Sequence, residues 1–133
     1  MSRECGEQRS KVLTMEENRR IRQLIRVNLE ADGLQVCEAE SEHQCLEVAQ
    51  TERCEVLLLS LDTPGLGVVQ IVQEVRARRN RNLPLLLISA EEPSEALMRA
   101  LSPALYIRRP FDATELARCV KELLGQGDRA FSF

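Results

Sequence analysis

A chain of 133 residues supports one domain with a full core, and 44 % hydrophobic against 29 % charged residues excludes intrinsic disorder. The formal net charge of −3 gives no electrostatic reason to bind nucleic acid or a membrane surface. Met1–Ser10 is polar and charged, and no apolar run approaches the ~18 residues that a spanning helix needs, so the expectation is a cytosolic protein without signal peptide or anchor.

Short apolar runs then alternate with amphipathic stretches five times over. The first run, Lys11–Met15, reads as a strand and leads through Glu16-Glu17 into a helix over Arg19–Ala31. There Ile21, Leu24, Ile25 and Leu29 recur on one face while Arg19, Arg22, Arg26 and Glu30 take the other, and Gly33 suits the left-handed position that ends a helix. Leu34–Ala39 alternates apolar and polar residues as an edge strand does. Ser41 with Gln44 forms a capping box for a helix over Glu42–Arg53. Within the strands Glu55–Ser60 and Leu85–Ser89, the runs Leu57-Leu58-Leu59 and Leu85-Leu86-Leu87-Ile88 are apolar on both faces, the mark of central parallel strands covered by helices on each side.

Helices are predicted over Val68–Arg78 and Ser94–Leu101, the second kept short by Ser102-Pro103. Leu105–Arg108 is the fifth strand. Asp112 with Glu115 opens a last helix over Thr114–Leu124, which Gly125 is expected to close. This order divides the chain into a tail at residues 1–10, a domain at 11–124 and a tail or linker at 125–133. Strict strand–helix alternation implies right-handed crossovers and an α/β doubly wound parallel sheet, and the edge and centre strands suit the flavodoxin-like order 2-1-3-4-5. In such sheets ligands bind beyond the carboxyl ends of the strands at the switch point, which here gathers Glu16, Glu17, Ser60, Ser89 and Arg109.

Five features in order carry a family resemblance: Glu16-Glu17 after the first strand, Ser60 followed by Leu61-Asp62-Thr63-Pro64-Gly65, Ser89-Ala90, Tyr106, and Arg109-Pro110-Phe111. Together they resemble the receiver domain of bacterial response regulators, the CheY-like family, over about Lys11 to Leu124. The resemblance implies a (βα)5 fold and a place in two-component signalling. It implies that Ser60 stands where the family carries the aspartate that accepts a phosphoryl group. Glu16-Glu17 stands for an acidic pair that helps to hold magnesium, and Arg109 for a lysine. Ser89 and Tyr106 stand for the hydroxyl and aromatic switch residues. It also allows a cis Arg109-Pro110 bond.

The departures fall on the chemistry. Phosphoryl transfer to such a site needs an attacking carboxylate, a metal across the phosphoryl oxygens and a cation for the developing charge. The family pocket has three carboxylates and a lysine. Here Glu16, Glu17 and Arg109 leave a formal charge of −1, and Ser60 adds only a neutral oxygen. Magnesium at Glu16 and Glu17 is therefore expected to be weak or absent, with Arg109 clamping Glu16 or Glu17 in its place or else pointing outward. No other cofactor is expected.

Other residues have blander readings. Asp62 could substitute as acceptor, yet reads as a turn residue bonding backbone. Ser60 with His43 lacks an orienting acid. The run Arg76 to Arg81 reads as a solvated helix end rather than a nucleic-acid patch. Five scattered cysteines without a C-x-x-C pair read as reduced structural thiols.

The reading is a non-catalytic interaction module, a receiver that is not phosphorylated. The alternatives are an active receiver modified at an unconventional residue and a small-ligand binder. Expected partners are a histidine kinase, an output domain or a second copy, with no membrane and no nucleic acid. The docking face implied by the resemblance carries Leu97, Arg99, Tyr106, Arg118, Lys121 and Glu122.

Overall fold

The computed structural model describes residues 10–62 and 65–132. In chain order the elements are β1 (Lys11–Met15), α1 (Arg19–Ala31), β2 (Gln35–Ala39), α2 (Glu42–Thr51), β3 (Val56–Leu61), α3 (Leu66–Arg78), β4 (Leu85–Ser89), α4 (Glu95–Leu101), β5 (Ala104–Arg108) and α5 (Ala113–Ser132). All five strands are parallel in the order β2-β1-β3-β4-β5, the expected flavodoxin-like arrangement with β2 at an edge. Among the described residues no helix is long and apolar enough to cross a membrane.

Side-chain alternation along each strand builds two cores. Val12, Val56, Leu58, Leu86, Ile88 and Ile107 meet Ile25 and Leu29 of α1 and Leu116 and Val120 of α5. Leu13, Leu57, Leu59, Leu85 and Leu87 face α2, α3 and α4 through residues such as Ala49, Val72 and Leu101. Because β3 and β4 lie inside both layers, nearly every residue along them is buried, which accounts for their unbroken apolar runs.

Local chemistry sets the helix ends that matter for the site. Asn18 caps α1 by accepting from the N–H groups of Arg20 and Ile21. At its other end Gly33 has φ 89°, its N–H donates to Glu30 O, and Leu34 N–H donates to Leu29 O. That double bond pattern is a Schellman closure, and Leu34 and Leu29 share one apolar cluster beneath it. Ser41 caps α2 at Gln44 N–H, but the Gln44 side chain reaches back to Glu40 N–H, one residue before the position a capping box uses. Asp112 accepts from Thr114 N–H at the start of α5.

Two expectations about the helices change. Leu24 is 52 % exposed, because α1 buries only the Ile25–Leu29 side of its apolar stripe. Nor does α5 stop at Gly125: the helix runs on to Ser132, so most of residues 125–133 is helical. Glycine inside a helix costs about 1 kcal/mol relative to alanine but does not end it unless it turns left-handed, and among the described residues only Gly33 does so. Helix α4 is short as expected, ending at Leu101, and both the Ser102-Pro103 and Arg109-Pro110 bonds are cis. Cys45, Cys54 and Cys119 are buried and Cys37 half-buried, all four as free thiols, while Cys5 lies outside the described residues.

Candidate functional site

At the carboxyl end of the sheet an open cavity of about 490 Å³ runs from the end of β1 to the start of α2. Buried Glu16 and Ser60 and half-buried Arg109 form its inner wall, while the exposed Glu17, Glu40, Glu42, His43 and Asp62 stand around its mouth. Glu16 and Ser60 lie one residue beyond the β1–β3 pairing of Met15 with Leu59, so backbone register alone sets them side by side. Both are buried, at 5 % and 3 % exposure.

Arg109 crosses from the end of β5 and joins them. Its Nη2 donates to Glu16 Oε1 at 2.8 Å and also to Ser60 Oγ, and its Nη1 donates to Asp62 Oδ1 at 2.9 Å. Glu16 uses its second oxygen as well, accepting from Asn18 N–H at 2.8 Å. The alternative left open by the sequence thus resolves toward Glu16, and Glu17 stays exposed at the rim. Arginine suits this place because its planar fork spans several oxygens at once, which an ammonium does not.

Backbone bonds tie the same loops together. Ala90 N–H donates to Asp62 O at 3.2 Å and Arg109 N–H to Ser89 O at 2.9 Å, so the ends of β3, β4 and β5 form one hydrogen-bonded rim. From behind, Arg22 donates to Glu16 O at 2.8 Å and pairs with Glu38 at 3.0 Å, and Arg26 pairs with Glu38 at 2.6 Å. Burial acts against the Glu38 carboxylate, but the two arginines outweigh it and hold its pKa below the ordinary value.

This geometry revises several expectations for single residues. Asp62, expected to bond turn backbone, turns its carboxylate to Arg109 although that side chain is 92 % exposed. Thr63 and Pro64 of the same turn lie outside the described residues. Ser89 is fully buried, but its hydroxyl donates to Glu91 O at 2.5 Å and does not line the cavity. Ser89 ends β4 within the rim, with its hydroxyl turned to the bend that follows the strand. His43 shares the mouth with Ser60 but is highly exposed and lies 3.4 Å from Glu47 on its own helix.

The surface residues also separate. Leu97 packs against the core beside Met98, and Tyr106 is half-buried with its hydroxyl enclosed and unpartnered among the described residues. Tyr106, Arg99 and Glu95 border one shallow cavity, while Arg118 and Glu122 pair along α5 at 3.4 Å. On the same helix Lys121 turns its ammonium to Asp32, 2.6 Å away at the end of α1. The Arg76–Arg81 run is a solvated helix end only in part: Arg78 and Arg81 are exposed, but Arg76 and Arg79 turn inward onto carbonyls.

The sequence reading missed Asp62 as a partner of Arg109, and Arg22 and Glu38 as the second layer behind Glu16. Only the four-residue step from Arg26 to Glu30 was visible as spacing. The other pairs cross between elements. Among the described residues no group of three or more His, Cys, Asp or Glu is placed to hold a metal ion.

The family model of the response regulator receiver domain matches residues 12–121. One curated relative is the alkaline phosphatase synthesis transcriptional regulatory protein PhoP of Bacillus subtilis (strain 168). It is 27 % identical over 122 residues, covering 90 % of this chain and 50 % of that protein. The chain thus spans about half the length of the curated relatives it matches. Among solved structures, the chemotaxis protein CheY4 of Vibrio cholerae aligns with a TM-score of 0.77 at 23 % identity, over 86 % of this chain and 98 % of that one. The receiver domain of a sensor histidine kinase from Pseudomonas aeruginosa, solved with a magnesium ion coordinated in its active site cleft, aligns with a TM-score of 0.73 at 23 % identity. That alignment covers 88 % of this chain and 98 % of that one.

Proposed function

The chain belongs to the response regulator receiver domain family, and from that premise we propose that it is a degenerate receiver, an interaction module in two-component signalling that takes up no phosphoryl group. The observation that carries the reading is the Arg109 guanidinium seated between Glu16 and Ser60. An acyl phosphate forms on a carboxylate, and on this reading the acceptor position carries the hydroxyl of Ser60. Ser60 is 3 % exposed, its hydroxyl is already bound by Arg109, and the adjacent Glu16 has both oxygens engaged and is not free to act as its base.

The donor set does not fit magnesium on the same grounds. A magnesium ion wants oxygen ligands in near-ideal octahedral geometry, and here the one buried carboxylate already has a cation on it. Glu17 stands at the rim, and among the described residues it forms no group of three metal-ligating side chains with the other acids there. Glu17, Glu40 and Glu42 leave the mouth negative, which opposes the approach of an anionic phosphoryl donor.

Without a driven switch, the face built by α4, β5 and α5 serves as a constant docking surface. Arg99, Tyr106, Arg118 and Glu122 lie on it, with Leu97 beneath, and a histidine kinase, an output domain or a second copy is the partner class. The cytosolic setting follows from that role, and we assign no catalytic activity.

Incubation with acetyl phosphate and magnesium, followed by intact mass measurement, tests the reading. The mass should not change. Gain of one phosphoryl group would overturn it, and mapping the adduct to Asp62 would establish an unconventional acceptor instead. Ser60→Asp alone should not restore uptake, because Arg109 still holds Glu16. Restoration by that single change would show that the clamp yields.

A further inference from the structure

Arg76 on α3 and Arg79, the residue that caps its end, are not used by the pocket, and both reach out to bond carbonyls of neighbouring segments. Arg76 Nε donates to Leu83 O at 2.9 Å, Nη2 to Leu101 O at 2.7 Å and Pro103 O at 3.2 Å, and Nη1 to Ser102 O at 3.2 Å. Arg79 Nη1 donates to Glu52 O at 2.7 Å and to Ala49 O at 3.4 Å. Leu101 is the last residue of α4, and Ser102 and Pro103 connect it to β5. Ala49 and Glu52 lie at the end of α2.

Ala49, Glu52, Leu101 and Ser102 lie at helix ends, where carbonyls are left without intrahelical partners and carry the negative end of the helix dipole, while Leu83 and Pro103 lie in the connections before β4 and β5. A guanidinium offers five donors in a fixed plane and remains charged near neutral pH even where burial lowers its pKa, as it does for Arg76. Leu83 and Leu101 are essentially inaccessible to water, so their carbonyls cannot fall back on solvent. The Arg76 contacts sit before β4 and β5 and the Arg79 contacts before β3, at the amino-terminal end of the sheet, opposite the cavity.

We propose that α3 acts as a strap in which Arg79 pins the end of α2 and Arg76 pins the end of α4 and its passage into β5. The position of the α4–β5 face is then fixed from below, by contacts that do not pass through Glu16, Ser60 or Arg109. It follows that the pocket and α4 are uncoupled: loosening the Arg109 clamp frees the loops at the carboxyl end without moving α4. The strap itself does not depend on the pocket being inactive, so it stands or falls separately from the proposed function.

Amide hydrogen exchange read by mass spectrometry on the full chain tests this, comparing the parent with Arg76→Gln, Arg76→Lys, Arg79→Gln and Arg109→Gln. Loss of Arg76 should raise exchange about tenfold or more across residues 98–105, as local opening becomes easier, with 48–54 and the β1 and β3 amides unchanged. Arg79→Gln should do the converse. Arg76→Lys should resemble Arg76→Gln, since a point charge cannot span four carbonyls. It also keeps the test readable if the glutamine variant does not fold. Arg109→Gln should speed exchange around residues 16–18 and 109–112 and leave 98–105 untouched. Three results would overturn the proposal: a uniform rise over the whole chain, identical patterns for the Arg76 and Arg79 variants, or loosening of 98–105 by Arg109→Gln.

Discussion

Removing the Arg109 side chain isolates the contact on which the site depends. In Arg109→Ala the Glu16 carboxylate, 6 % exposed, loses the guanidinium 2.8 Å away and keeps only the Asn18 N–H bond. Breaking a buried pair from one side costs about 3–5 kcal/mol, because the remaining charge is left without compensation. Arg109 is 19 % exposed, so water can enter the space it leaves, and the lower end, about 3 kcal/mol, is expected. The Asp62 arm adds little. At 92 % exposure that partner is solvated with or without Arg109, and exposed pairs are worth about 0–1 kcal/mol.

For a domain of this size the loss corresponds to a fall in Tm of roughly 10–15 °C. Urea unfolding of the parent, Arg109→Ala, Glu16→Gln and the double variant measures the pair directly. Glu16→Gln should cost less than Arg109→Ala, since the amide oxygen still accepts from arginine. In the double variant no stranded charge remains, so its loss should fall short of the summed single losses by about 1.5 kcal/mol or more. Additivity to within about 0.5 kcal/mol would refute the clamp as described. A coupling abolished by 1 M salt would also count against it, since screening acts mainly on exposed charges.

Two further outcomes follow from the titrating groups. Glu38 has a folded pKa below its ordinary 4.5, so its contribution to stability is present above that value and is lost as pH falls through the folded pKa. The stability gap between the parent and Glu38→Gln should accordingly shrink below about pH 4.5 in urea titrations, and a gap that widened on acidification would reverse the assignment. Burial pushes the Cys45 thiol up to about 12 and the Cys54 thiol up to about 11. Peptide mapping after iodoacetamide treatment near pH 8 should find both unmodified in the native protein and modified after unfolding. Alkylation of native Cys45 would show that α2 opens.

The fold was legible because burial on both faces leaves a plain signature. Leu85-Leu86-Leu87-Ile88 is zero per cent exposed throughout, and only a strand inside two helical layers tolerates that. The strand ends were legible too, since a parallel sheet gathers its carboxyl ends at one rim, and that rule alone sets Glu16 beside Ser60. Periodicity reports which face a residue takes, however, and not which lateral neighbour its side chain reaches. Lys121 and Arg118 are both solvent-facing positions of α5, yet the first reaches Asp32 and the second Glu122. Arg76 read as part of a basic run because four carbonyls from three other segments have no counterpart in sequence spacing. Asp62 escaped for a related reason: its partner is 47 residues away, at the end of another strand.

The two sets of arginine contacts bear on how a module of this kind could be regulated. A ligand shifts a conformational equilibrium only by binding two states with different affinity. In the proposed reading the pocket already holds its cation as a side chain, and that cation cannot dissociate. Ser89 is turned to Glu91 and not to the cavity, so its hydroxyl makes no contact through which the pocket's contents could act on it. Arg76 fixes the far end of α4 by bonds that the pocket does not touch. A single resting arrangement of the α4–β5 face is then the economical consequence, and control passes to quantities outside the fold: how much of the protein is present, and which partner competes for it. Charge reversal at Arg99 or Arg118 separates this view from a driven switch. It should weaken partner capture by the same factor with and without acetyl phosphate, because no second state is present to be selected. A phosphate-dependent difference in capture would require a coupling path that the Arg109 clamp and the Arg76 strap, as drawn, do not provide.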